Sequence, residues 1–199
     1  APELVMAIGK AAGFTPILKN TAWDGIFAGL AAGRYDAICS SVSITEDRSK
    51  NMDFADPYFD VKQGVIMPKG SAISSADDLK DKTVGSQMGT TGYFVAKKIA
   101  GKMARSYDEI GLAVEDLYNG RIDAVIADDA VASNYALQHK EYSKKLALVH
   151  LIAPEKPEYL GIAVKKGDDA TRQLINEGLK KVRESGEYDA IYAKWFGTR

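Results

Sequence analysis

Three polar stretches and one tryptophan hold the residue types that bind charged groups. The first is Ser40-Ser41-Val42-Ser43-Ile44-Thr45-Glu46-Asp47-Arg48. It offers three serine hydroxyls, backbone N–H groups and an arginine, whose planar fork meets a carboxylate with two parallel hydrogen bonds. Thr45 is placed to cap a helical turn that includes Arg48. The stretch is a candidate anion site, although a capped turn with a surface Arg48 paired to Glu46 or Asp53 fits the same letters. The second is Gly85-Ser86-Gln87-Met88-Gly89-Thr90-Thr91-Gly92, which follows a strand and opens a helix. N–H groups at a helix start favour an anion. The stretch lacks both the Gly-Lys-Ser/Thr ending of a phosphate loop and the glycine spacing of a dinucleotide site. A small anion such as a carboxylate fits better than a nucleotide, and a plain glycine turn is the alternative. The third is Asp128-Asp129, at the end of Ala124-Val125-Ile126-Ala127. One aspartate could pair with an ammonium group while the other caps the helix that begins near Ala130. Trp23 either packs on a ligand or staples the helix that follows it.

Other chemistries find little support. There is no Gly-x-Ser-x-Gly elbow and no kinase or zinc signature, though catalytic groups are often dispersed along a chain. His139 and His150 have no Cys or His-Glu-x-x-His companions, so neither a metal nor a cofactor is expected. Cys39 is the single cysteine, so no internal disulfide forms.

The elements that must position these residues follow from composition and pattern. The chain has 199 residues, 46% hydrophobic and 27% charged, with a formal net charge of −1. That balance is globular, and near-zero charge removes the attraction on which nucleic-acid binding relies. The length suits one large or two small domains. No apolar run approaches the roughly 18 to 20 residues that span a bilayer.

Pro2 in a first turn and Gly13 at an αL stop predict a helix over 2–12. A strand is expected over 14–18, a helix over 26–32 stopped by Gly33, and a short strand over 35–40. Strands at 65–67 and 83–86, helices at 93–102, 171–186 and 188–196, and further alternation predict an α/β fold with mostly parallel sheets. One pattern occurs twice. Leu30-x-x-Gly33-Arg34-x-Asp36-Ala37-Ile38 is echoed by Leu117-x-x-Gly120-Arg121-x-Asp123-Ala124-Val125. Each copy reads as helix, glycine stop and strand, followed by a polar stretch. Two similar α/β lobes would present such loops at the carboxyl ends of their strands, where open sheets bind ligands. A recurrent helix–turn–strand solution is the simpler alternative.

Taken together, the motifs resemble those of the bacterial extracellular solute-binding proteins for polar amino acids, the receptors of ABC importers. The chain is most similar to the histidine, lysine/arginine/ornithine and glutamine binding proteins. The resemblance runs over the whole chain. It is carried by Trp23-Asp24-Gly25, Gly33-Arg34-Tyr35-Asp36-Ala37-Ile38, Ser40-Ser41-Val42-Ser43-Ile44-Thr45-x-x-Arg48 and Asp53-Phe54-Ala55-Asp56-Pro57-Tyr58. Val84-Gly85-x-x-x-Gly89-Thr90-Thr91, Gly120-Arg121-x-Asp123-Ala124-Val125-x-Ala127-Asp128 and Lys194-Trp195-Phe196-Gly197 complete it. It implies a type II periplasmic-binding-protein-like fold of two lobes, 1–60 with 161–199 and 61–160. Crossing segments are expected at Tyr58–Lys62 and Lys156–Leu160, with closure on one amino acid. Arg48 would clamp the α-carboxylate, helped by Ser43 and the Thr90 and Thr91 N–H groups. Ser41 and Asp128 would receive the α-ammonium, Trp23 would pack on the ligand side chain, and Ser40 and Gln87 would line the pocket. Gly92 stands where some relatives carry a polar side chain, which would widen the pocket.

The resemblance further implies a non-enzymatic protein of the periplasm or cell exterior, lipid-anchored in a Gram-positive cell. Its partner would be the membrane permease of an ABC importer. A cyclohexadienyl or arogenate dehydratase-like enzyme and the sensing domain of a receptor are the alternatives. Arg48 serves all three, and Asp128 favours an amino acid over prephenate. The family normally places a strand, a loop bearing an aromatic residue and a second strand ahead of the helix that starts here near Pro2, and no signal peptide precedes that helix. An incomplete first lobe is therefore expected, with weak binding or none by the isolated monomer. Strand exchange or a dimer would be ways to fill the gap, and the complete protein is expected to be a monomer.

Overall fold

The computed structural model describes residues 1–196. Gly197, the last residue of the Lys194-Trp195-Phe196-Gly197 motif, lies outside the described residues. The chain divides into two compact units, Ala1–Asp60 with Glu158–Arg199, and Val61–Pro157. In chain order the first unit contributes α1 (Pro2–Ala12), α2 (Ile26–Ala31), β1 (Ala37–Ile38), α3 (Glu46–Asn51), β2 (Met52–Phe54) and β3 (Phe59–Val61), the last running into the second unit. The second holds β4 (Gln63–Pro68), β5 (Val84–Gln87), α4 (Thr91–Ala100), β6 (Ala104–Tyr107), α5 (Ile110–Tyr118), β7 (Ala124–Asp128), α6 (Asp129–Ser133) and β8 (Leu146–Ile152). The chain then returns through β9 (Glu158–Leu160), β10 (Ala163–Lys165), α7 (Asp169–Glu184) and α8 (Glu187–Phe196).

In the first unit the sheet order is β1-β10-β2, and both pairings are antiparallel. Helix α1 starts at a proline with Glu3 in its first turn and stops at Gly13, whose φ of 85° is the left-handed conformation that favours glycine. It packs on α7, where Gly178 lets the two backbones approach. A Cβ there would stand 2.5 Å from the Ile8 carbonyl oxygen. The sheet's core is Ile26, Leu30, Ile38, Val42, Met52 and Ala163, each nearly or fully removed from solvent. Each fully buried aliphatic side chain of this size is worth about 1.5 to 3 kcal/mol relative to exposure.

In the second unit the order is β6-β5-β7-β4-β8. Alternation along β7 and β4 sends successive side chains to opposite faces. Val125 and Ile66 join Val114, Leu117 and Leu146 in one core, while Ala124, Ile126, Val65 and Met67 join Val84, Leu79 and Ala96 in the other. Helix α5 covers the first face and α4 the second, so both faces of β7 are dry.

Two expectations are corrected here. The three-stranded sheet is antiparallel and the five-stranded sheet is mixed, so the sheets are not mostly parallel. Parallel pairing joins β5 to β6 and β7, where helices carry the chain back over a face, whereas β4 runs against β7 and β8. In the first unit β1 and β2 share a direction, but β10, returning from the other unit, enters between them reversed. Secondly, residues 14–18 are not a strand. Ile17 is 93% exposed and Pro16, which has no N–H to give to a ladder, packs against the Gly9 position of α1.

Candidate functional site

The Ser40–Arg48 stretch is built on the first unit's sheet. Val42 is fully buried and fixes the stretch from below. Its carbonyl accepts from the Gly161 N–H at 3.0 Å, and the Ile44 N–H donates to the Tyr159 carbonyl at 2.8 Å. Ser41 has φ 53° and is the one non-glycine residue with positive φ among the described residues. A serine in this region is uncommon and persists where surrounding contacts hold it. Ser43 is buried, and its hydroxyl donates to the Glu158 carboxylate.

Helix α3 begins where the capping pattern predicts. The Thr45 Oγ1 accepts from the Arg48 N–H at 3.1 Å. This starts the helix at Glu46 and turns the Arg48 side chain back over the loop. Its Nη1 donates to the Ser43 carbonyl at 2.8 Å. The guanidinium carbon lies 5.7 Å from the Trp23 ring centroid and 5.1 Å from that of Phe27, and the two rings meet edge to face at 5.4 Å. Two aromatic faces and a carbonyl restrain a side chain that otherwise has large rotamer freedom. Trp23, Ser43 and Arg48 are thus brought together. Ser40 and Ser41 lie in the same loop, Ser40 exposed and Ser41 half-buried. Phe27 and Glu158 escaped the sequence reading. Phe27 could have been found as the aromatic residue in the first turn of the helix that follows Trp23, whereas Glu158 is distant in sequence and carries no local signal.

In the second unit, β5 ends at Gln87 and Gly89 turns the chain with φ 72°. Thr90 caps α4: its Oγ1 accepts from the Tyr93 N–H at 3.2 Å and donates to the Gln87 carbonyl at 2.7 Å. The Gln87 side chain donates to the Asp108 carbonyl at 3.1 Å. The aspartate pair at the end of β7 divides its work. Asp129 Oδ1 accepts from the Ala130 N–H at 2.9 Å, a bond at the helix start. Asp128, although it stands at the N-cap position, makes no side-chain cap bond. Its Oδ1 accepts from Gln63 Nε2 at 2.8 Å, and the same nitrogen lies 3.2 Å from Thr91 Oγ1. Thr91 and Asp128 are therefore joined through Gln63, a residue just ahead of the strand expected over 65–67 that the sequence reading did not single out.

The expected widening at Gly92 is also corrected. A Cβ on Gly92 would stand 2.8 Å from Gln63 Oε1 and 3.2 Å from both the Ile126 carbonyl and Ser86 Oγ. The space is filled by the Gln63 amide, and glycine is what makes room for it.

Burial pushes the Cys39 thiol above its ordinary value, the reverse of an activated nucleophile. Among the described residues no group of three or more His, Cys, Asp or Glu is arranged to hold a metal ion. No helix among them is long and apolar enough to cross a membrane.

The sequence pattern of the bacterial extracellular solute-binding proteins, family 3, matches residues 1–198. The chain belongs to that family. A relative from Neisseria gonorrhoeae, named a probable histidine-binding protein, is 44% identical over 200 residues, covering 98% of this chain and 73% of its own. A putative ABC transporter arginine-binding protein of Escherichia coli K12 is 34% identical over 198 residues, covering 98% of this chain and 79% of its own. Among solved structures, the arginine-, lysine-, histidine-binding protein of Geobacillus stearothermophilus superposes with a TM-score of 0.85. It is 38% identical over all of this chain and 85% of that one. This family member accordingly has the type II two-lobe fold of periplasmic amino-acid-binding proteins.

Proposed function

We propose that this chain is a non-catalytic receptor that binds a polar or basic amino acid outside the cytoplasmic membrane and delivers it to the permease of an ABC importer. The observation that carries the reading is Arg48, whose fork is held between Trp23 and Phe27 and tied to the Ser43 carbonyl. A guanidinium immobilised in this way is suited to a carboxylate, since little ordering is left for the ligand to impose. Arg48 takes the α-carboxylate and Asp128 the α-ammonium. Trp23 packs on the ligand side chain. Ser40, Ser41, Gln87, Thr90 and Thr91 line the site, and Ser43 acts through its carbonyl on Arg48, its hydroxyl being given to Glu158. The names of the relatives, for histidine and for arginine, support the ligand class.

A thermal-shift screen of the 199-residue chain with the twenty amino acids and prephenate tests the proposal. Binding to the folded state raises the midpoint by mass action. Histidine, arginine or another polar amino acid is expected to raise it and prephenate to leave it unchanged. A response to prephenate alone would overturn the receptor reading in favour of a dehydratase-like activity.

A further inference from the structure

Gln63 is a polar side chain in the most apolar part of the second unit. It opens β4, is 2% exposed, and is followed by the buried run Gly64-Val65-Ile66-Met67. Its Nε2 serves two oxygens, Asp128 Oδ1 at 2.8 Å and Thr91 Oγ1 at 3.2 Å. The orientation of the amide is decided by Asp128, because an ionised carboxylate only accepts and must face the NH2 end. The opposite end, Oε1, is buried without a hydrogen bond from the described residues. An unsatisfied buried carbonyl is destabilising, and an aliphatic side chain of the same length would avoid that cost. Gly92 adds a second concession, since any larger residue there would meet Oε1. Two destabilising choices thus serve one bond, the one to Asp128.

We infer that Gln63 is a positioning residue that fixes the Asp128 carboxylate for the ligand ammonium, with Thr91 bracing the amide from helix α4. The inference rests on the reading of Asp128 as the ammonium partner. Strand pairing supports the geometry: Gln63 lies directly opposite Asp128 across the β4–β7 ladder, so the bond is made between neighbours in register. A bond from Gln63 to one carboxylate oxygen restricts the rotation of the Asp128 side chain.

The test compares Gln63→Met, which keeps length and volume but cannot donate, and Gln63→Asn, which keeps the amide but falls one methylene short. Affinities of the full chain are measured by calorimetry for L-arginine and L-histidine, each beside its desamino acid, 5-guanidinopentanoate and 3-(imidazol-4-yl)propanoate. Both variants are expected to lose about tenfold for the amino acids and to bind the desamino acids as the parent does. A merely structural role would weaken both ligands alike, and that result, or no loss at all, overturns the inference. Asp128→Asn separates the two levels. If it leaves amino-acid affinity intact, the ammonium reading itself is wrong. If it abolishes affinity while the Gln63 variants do not, only the positioning role falls.

Discussion

The two copies of the Leu-x-x-Gly-Arg-x-Asp-Ala pattern end their helices identically and then part. In the first, the Gly33 N–H donates to the Leu30 carbonyl and the Arg34 N–H to the Gly29 carbonyl, both at 3.0 Å. In the second, Gly120 donates to Leu117 at 3.0 Å and Arg121 to Asp116 at 2.8 Å. Both glycines have φ 73°. This is the paired bonding of a left-handed helix stop, set by a handful of adjacent residues. Beyond it, β1 has two residues and sits at the edge of its sheet, whereas β7 has five and is flanked by β5 and β4. Their exits differ as well. One delivers the serine loop that ties down Arg48 through its backbone. The other delivers an aspartate held by a side chain. Local sequence decides where a helix stops; neighbouring strands decide what the next strand becomes and what its end presents.

Substitutions sharpen this contrast, beginning with the exits. Arg48→Ala is expected to weaken amino-acid binding by at least about 30-fold, since removing one member of a desolvated, hydrogen-bonded pair costs about 2 to 5 kcal/mol. Calorimetry giving unchanged affinity would remove the serine-loop exit from the site. Next come the buried leucines of the two helices, both 1% exposed. Leu30→Ala and Leu117→Ala should each cost about 2 to 5 kcal/mol in urea unfolding, with Leu117 the larger because it lies in the more extensive core. The reverse order would show that the edge strand's core is the better packed.

The glycine stops should respond equally. No atom lies within 4 Å of a Cβ built on Gly33 or Gly120, so the penalty is conformational. Gly33→Ala and Gly120→Ala are each expected to cost about 1 to 2 kcal/mol in the same measurement. A difference well beyond that range between them would mean that the two turns are not equivalent. The arginines give the smallest effect. Arg121 pairs with Asp116 at 2.9 Å, whereas Arg34 has no ion pair among the described residues. Arg121, then Tyr107, lowers the Asp116 carboxyl below its ordinary value of 3.8. The pair's contribution is therefore present above that value and lost as pH falls through the lowered folded value. The thermal midpoints of parent and Arg121→Ala should differ near neutral pH and converge in acid, while Arg34→Ala should track the parent throughout.

What the sequence disclosed was mostly short-range. Gly13, Gly33 and Thr45 announced their caps because one side chain or one missing Cβ is sufficient for each. Arg48 was legible because its own helix start and loop lie within a few residues. Phe14–Leu18 had strand composition, yet composition does not supply a partner strand, and Pro16 prefers the surface of α1. The antiparallel entry of β10 between β1 and β2 depends on a chain return from far along the sequence, which no local pattern encodes. Gln63 was hidden for a related reason. A single polar letter ahead of Gly64-Val65-Ile66-Met67 acquires meaning only when β7 sets Asp128 opposite it.

The insertion of β10 also separates the two units by what each needs from the returning chain. Every strand of the five-stranded sheet lies before residue 157, so the second unit's sheet needs nothing from the returning chain. The unit that holds Arg48 has β1 and β2 unjoined until β10, far along the sequence, enters between them. Its aromatic clamp and serine loop thus come early in the sequence yet rest on a sheet that only a late segment completes.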